Sequence, residues 1–215
     1  LLQGEYAQLY HSLFKNANQH LKIIETLAAK PQGMTRVDIA HKTKLSEATL
    51  SRTLEEFVEC DFISFYEPLI NKKKEAIYKL TDLYSLFYLK FIKANKGGGK
   101  GTWQQLSNKS TFTAWSGYAF ENICMLHIGQ IKKALGISGI YSTTSSWLFK
   151  GNDTLPGCQI DMIIDRADQT INLCEAKFTK ENFVITKNYA AQLRLKKSIF
   201  RQATQTKKAT FNTLL

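Results

Sequence analysis

The stretch Gln159–Lys177, QIDMIIDRADQTINLCEAK, leaves the chain the least freedom. Two runs rich in β-branched and apolar residues flank a polar turn, Arg166-Ala-Asp-Gln-Thr170, and that pattern reads as an antiparallel hairpin. Alternation along a strand groups Asp161 with Gln159, Ile163 and Asp165, and Glu175 with Ile171, Leu173 and Lys177. A hairpin centred on Asp168 sets Asp161 opposite Glu175, with Cβ atoms roughly 5 Å apart. Two carboxylates that close repel each other unless a cation lies between them or one takes a proton. Oxygen ligands of this kind suit a hard divalent ion such as Mg²⁺ or Mn²⁺. Lys177 adds a positive group two residues beyond Glu175. The stretch therefore has the chemistry of a metal-dependent phosphodiesterase centre. Asp165 is either a second acid or a charge at the end of the strand.

The charge of the chain agrees with an anionic partner. The formal net charge is +11, and a surplus of that size favours an anionic partner such as nucleic acid. Residues 1–95 hold 13 Lys/Arg against 11 Asp/Glu, whereas residues 96–215 hold 16 against 7. The surplus thus lies in the half that carries the hairpin. Cys60, Cys124, Cys158 and Cys174 stand far apart with no CxxC pair, which argues for a reducing compartment, the cytoplasm, without a disulfide framework or structural zinc. No apolar run approaches the roughly 20 residues that a membrane-spanning helix requires. His11, His20, His41 and His127 are scattered, and no nucleophile elbow or dinucleotide fingerprint occurs. Gly97-Gly-Gly-Lys-Gly-Thr102 lacks the spacing of a phosphate-binding loop.

The order of local signals divides the chain in two. Glu5–Ala17 and Gln19–Ala29 carry helical apolar spacing, the second through Leu21, Ile24 and Leu27. Thr35-x-x-Asp38 has the start signal of a short helix reaching Thr43, and Ser46 caps a third helix, EATLSRTLEEFVEC. Phe62–Tyr66 and Ala76–Leu80 read as strands joined by a loop with Lys72, Lys73 and Lys74. Short helices followed by a hairpin with a basic tip form a winged helix-turn-helix pattern. Its candidate DNA contacts are Thr49, Ser51, Arg52 and Thr53 on the third helix, with Lys72, Lys73 and Lys74 on phosphate. Glu47, Glu55, Glu56 and Glu59 lie on that same helix, so a protein-interaction or spacer role stays open. Thr81–Lys93 is apolar almost all round, which predicts burial between the two halves. Asn95–Thr102 has the composition of a linker and sets the expected domains at 1–95 and 96–215.

In the second half, Trp115–Leu135 reads as one helix that places Glu121 beside Tyr118, Cys124, Met125 and Ile128. A carboxylate on an apolar side is costly unless something satisfies it, so Glu121 either reaches solvent at the stripe's edge or joins the hairpin acids. A strand over Gly139–Phe149 precedes the hairpin, Phe183–Ile185 is a short extension, and Lys187–Gln205 is a helix with a basic face of Arg194, Lys196, Lys197 and Arg201. Lys208–Leu215 reads as a last strand. The fold class is two-domain α/β (α+β).

Helix, three strands, helix and strand, with Asp161 in QIDMIID, Glu175-Ala-Lys177 in NLCEAKF and Glu121 in GYAFEN, resemble the PD-(D/E)xK phosphodiesterases of the restriction-endonuclease-like fold. The resemblance implies that Asp161, Glu175 and the Ala176 carbonyl hold Mg²⁺. It also implies that Lys177 orients or helps deprotonate the attacking water, and that Glu121 reaches the metal through water. The basic helix would supply Arg194, Lys197 and Arg201 for nucleic acid. Over residues 5–215, and most specifically in YKLTDLYSLFYLKF, the chain is similar to the C-terminal half of archaeal-type AAA+ ATPases. That likeness implies an ATPase domain before Leu1, ATP bound there alone, and self-association through it. Gln159 stands where many relatives have Glu, a departure that bears on metal binding. Two readings of other classes remain: a non-catalytic DNA- or protein-binding adaptor that retains the fold, and a transcription regulator whose second domain senses a small ligand.

Overall fold

The computed structural model describes residues 2–66, 76–95, 99 and 101–215. Lys72, Lys73 and Lys74, and most of the glycine-rich linker, lie outside the described residues. The chain forms two compact units, the first running to Ala114 and the second from Trp115 to Leu215.

In the first unit, α1 (Leu2–Leu13) stops before Phe14, and α2 (Ala17–Ala28) buries Ala17, His20, Ile23, Ile24 and Leu27 along one stripe. Thr35 caps α3 (Arg36–Thr43) by accepting from the Asp38 amide at 3.1 Å. Lys44 turns the chain with a left-handed φ of 53°. Ser46 then caps α4 (Glu47–Glu59), which buries Leu50, Thr53, Leu54 and Phe57. A three-stranded sheet of order β1-β3-β2 closes the module, from β1 (Met34–Thr35), β2 (Ile63–Tyr66) and β3 (Ile77–Leu80). The short β1, absent from the sequence reading, is entered through Gly33 at φ +89°, where a Cβ would stand 2.8 Å from the Tyr78 carbonyl oxygen. Only glycine meets both demands.

The apolar segment after Thr81 forms α5 (Leu83–Phe87) and a π-helical turn at Tyr88–Ile92. Its partners belong to the first unit itself: Tyr88 stacks on Tyr6 at 4.0 Å, and Ser85 hydrogen-bonds Tyr10 at 2.7 Å. Trp103 of α6 (Thr102–Ser107) and Phe112 of α7 (Ser110–Leu126) pack on Phe91 of that turn.

The predicted helix over 115–135 is broken at His127 into α7 and α8 (Ile128–Ala134). The second unit's sheet has the order β4-β5-β6-β7, from β4 (Ser142–Phe149), β5 (Cys158–Arg166), β6 (Thr170–Glu175) and β7 (Ala209–Leu214). β4, β5 and β6 are antiparallel, and β7 runs parallel to β6. A parallel neighbour requires a crossover, which α9 (Lys187–Thr204) supplies. Phe183–Ile185 forms no strand and lies exposed. Ile199 and Phe200 of α9 pack with Trp147, Ile160, Ile163, Ile171 and Leu173. Met162, Ile164 and Cys174 pack instead with Ile137, Met125, Ile128 and Ile131. Burial on both faces explains why β5 and β6 read as nearly continuous apolar runs.

Candidate functional site

The hairpin has the expected register. Ile163 pairs with Leu173 and Met162 with Cys174, where the ladder ends, and Asp161 and Glu175 are the next residue on each strand. Strict alternation from Gln159 does not hold, however. Ser145 pairs with Ile163 but Trp147 with Ile160, so Asp161 and Met162 together face Ser146. This β-bulge lets Ile160 and Ile163 enter the same cluster and removes Gln159 from the face shared by Ile163 and Asp165. Bulges commonly re-aim a side chain beside a site, and here the side chain at the bulge is Asp161.

Asp161 and Glu175 sit in different surroundings. The Ala176 amide donates to Asp161 Oδ2 at 3.0 Å. Burial, with Glu121 and then Glu175 adding negative charge, raises the Asp161 carboxyl to about 6, against the opposing Ala176 hydrogen bond and Lys196. Glu121, half-buried on α7, therefore lies close enough to join the hairpin acids electrostatically. Glu175 is buried and well partnered: Lys196 Nζ lies 2.6 Å from Oε2, and the Tyr189 hydroxyl donates to Oε1 at 3.1 Å. Lys177 Nζ lies 3.4 Å from Oε1 and 5.3 Å from the centre of the Tyr189 ring. Asp161, Glu175 and Lys177 thus gather at the open end of the hairpin, with Glu121 in electrostatic reach.

Two members of the cluster come from α9 and were not among the sequence-selected site residues. Tyr189 and Lys196 stand seven residues apart, on the side of the helix that carries Ile199 and Phe200. Arg194, Lys197 and Arg201 occupy another stripe, with Arg194 and Arg201 exposed and Lys197 half-buried. They form a separate basic edge rather than part of the cluster. Asp165 is a strand-end charge, paired with Lys208 at 2.6 Å.

The acids carry the donor chemistry a divalent cation takes, with carboxylates on neighbouring strands and a third in electrostatic reach. Among the described residues no group of three or more His, Cys, Asp or Glu is placed to hold a metal ion by itself. Mg²⁺ needs no such cage, since one or two carboxylates with water complete its shell. The buried thiols stay out of this chemistry: burial pushes Cys124 up to about 11 and Cys174 up to about 12.

On the other unit, the third helix of the sequence reading is α4. Thr49 and Ser51 are half-buried and Arg52 is exposed. Ser51 receives a hydrogen bond from Arg36, which also pairs with Glu47 at 2.5 Å. Thr49 Oγ1 accepts from Ser46 at 2.9 Å. Thr53 is fully buried and cannot touch a groove, which corrects its selection as a contact. Arg52 lies 3.7 Å from Glu56, whose other oxygen meets the buried His20 ring at 2.7 Å. Arg36, at the start of α3, is the cation near α4 that the sequence reading passed over.

Among the described residues no helix is long and apolar enough to cross a membrane. No curated protein and no solved structure matches the chain. Residues 20–65, which run from α2 through β2, match the family described as the IclR helix-turn-helix domain. That segment is an IclR-type helix-turn-helix DNA-binding domain.

Proposed function

We propose that the chain couples a DNA-binding helix-turn-helix to a Mg²⁺- or Mn²⁺-dependent phosphodiesterase centre built from Asp161, Glu175, Lys177 and Glu121. The observation that carries the reading is the placement of Asp161, which sits at the β-bulge, accepts from the Ala176 amide beside Glu175, and lies in electrostatic reach of Glu175 and Glu121. A carboxylate kept charged at neutral pH in such a place is costly, and a site that gathers these charges is suited to a cation. When bound, the metal would supply Lewis acidity toward a phosphate oxygen and its water.

Asp161 and Glu175 would hold that ion from neighbouring strands, with the Ala176 carbonyl as a third oxygen and Glu121 acting through water. The Ala176 amide already fixes Asp161 Oδ2. Lys177 Nζ would orient the attacking water and offset phosphate charge. Lys196 and Tyr189 keep Glu175 in position in the absence of a cation. The element order of the second unit, a helix pair broken at His127, three strands, helix and strand, with the last strand parallel to its neighbour, supports the likeness to PD-(D/E)xK enzymes. The likeness of the chain to archaeal-type AAA+ ATPases supports a place in an ATP-driven machine.

Cleavage of plasmid and oligonucleotide DNA with Mg²⁺ or Mn²⁺, against EDTA, tests the reading. Metal-dependent cutting by the wild type that falls at least a hundredfold in Lys177→Met is the expected outcome, as for removal of a group that stabilises developing charge. Cutting that Lys177→Met leaves unchanged excludes this centre. One observation favours the adaptor reading instead: both Glu175 oxygens are already engaged by Lys196, Tyr189 and Lys177. Absence of cutting, with salt-sensitive DNA binding intact, would establish it.

For the helix-turn-helix, Arg52→Ala is expected to weaken duplex binding about tenfold and to lower the slope of log K against log salt by about one, as for loss of one phosphate contact. Fluorescence anisotropy over a salt series reads both quantities.

A further inference from the structure

We infer that the carboxylate cluster takes an unpaired polynucleotide strand whose bases stack on Phe178 and Phe183; this rests on the phosphodiesterase reading and names its substrate class. Two aromatic pairs adjoin the cluster. Phe178, next to Lys177, lies 5.9 Å from Phe120, which is next to Glu121. Phe183 meets Tyr189 edge-on at 5.1 Å, and Tyr189 in turn touches both Glu175 and Lys177. The outer ring of each pair is open to solvent: Phe178 is 49% exposed and Phe183 37%.

The segment between β6 and α9 leaves Phe178, Phe183, Val184 and Ile185 exposed beside this charge, and exposed apolar groups gathered in one place mark interaction sites. The occupant is anionic, because Lys180 in the same segment and Lys187 at its end are exposed against one exposed acid, Glu181, and residues 96–215 carry the positive surplus of the chain. It must also present flat π-faces. Bases in a duplex are stacked on one another and unavailable, whereas those of a single strand offer a face to each ring. Base–aromatic stacking with a basic track is the usual means of holding single strands. Phe178 and Phe183 would flank the scissile phosphate, while duplex would be left to the helix-turn-helix.

The test uses the full chain in EDTA, with labelled oligothymidylate and a mixed-sequence duplex as separate probes. Phe178→Ala/Phe183→Ala is expected to weaken oligothymidylate binding at least about tenfold while duplex affinity changes less than about twofold. Phe178→Tyr/Phe183→Tyr is expected to retain both affinities. Since both rings are exposed, unchanged circular dichroism is expected for each variant. Equal losses on both probes, or no loss on either, overturn the inference. Sedimentation with anionic phospholipid vesicles that disappears in the alanine variant, with oligothymidylate binding unchanged, would assign the patch to a membrane surface and overturn it as well. Metal-dependent cutting with ring-independent strand binding removes this inference alone. Ring-dependent strand binding without cutting by the wild type supports the stacking site and removes the phosphodiesterase reading.

Discussion

Asp161→Asn is expected to make the second unit more stable at neutral pH and, under the phosphodiesterase reading, to abolish cleavage. The Asp161 carboxyl stands at about 6 in the fold, against an ordinary 3.8, because burial, Glu121 and Glu175 all disfavour its charge. The folded state therefore holds this proton more tightly than the unfolded chain does. Below about pH 4 the group is protonated in both states and adds nothing. As pH rises from 4 to 6 the unfolded chain releases its proton first, so stability is lost across that window and stays lost above it. A shift of about two units corresponds to roughly 1–3 kcal/mol. Asparagine removes the charge and keeps an oxygen for the Ala176 amide. Scanning calorimetry is expected to show the second unit melting several degrees higher in the variant at pH 7.5, with the difference vanishing near pH 4. A variant less stable than wild type at pH 7.5 would contradict the account of the cluster.

Phe57→Ala is expected to cost about 3–5 kcal/mol, the range for emptying a buried aromatic position. Phe57 is fully buried and its ring meets Tyr10, Phe14, His20 and Phe62, so the cavity would open at the centre of the first unit's aromatic core. Domains of this size have only about 5–15 kcal/mol in total. Urea titration should show the first unit unfolding at a much lower midpoint. Duplex binding should fail at 37 °C, although Phe57 is fully buried. A loss below about 1 kcal/mol would mean that the core reseals around the gap.

The parts of the fold that were legible in the sequence are those set by local rules. The caps at Thr35 and Ser46 follow from side chains that accept from amides three residues on. The register of the hairpin follows from its period and its polar turn, and every observed pair of β5 and β6 is centred on Asp168. What was missed depends on partners distant in sequence. The bulge at Asp161 is set by β4, and β1 is two residues long, held by β3 and admitted by the geometry of Gly33. Thr53 was selected as a contact although it shares the helical spacing of Leu50, Leu54 and Phe57, a signal that places it in the core. Tyr189 and Lys196 carried a comparable signal, a polar pair on the stripe that leads into Ile199 and Phe200. A lysine on a buried stripe needs a carboxylate, and Glu175 is that partner.

The central claim is tested most directly by comparing cleavage of single-stranded oligonucleotide and of supercoiled plasmid in Mg²⁺ or Mn²⁺ for the wild type and Asp161→Asn, each checked by calorimetry. Because the variant is expected to be better folded than the wild type, lost activity cannot be ascribed to unfolding. The account predicts metal-dependent cutting by the wild type and a loss of at least about a thousandfold in the variant. Equal cutting by both proteins would contradict it.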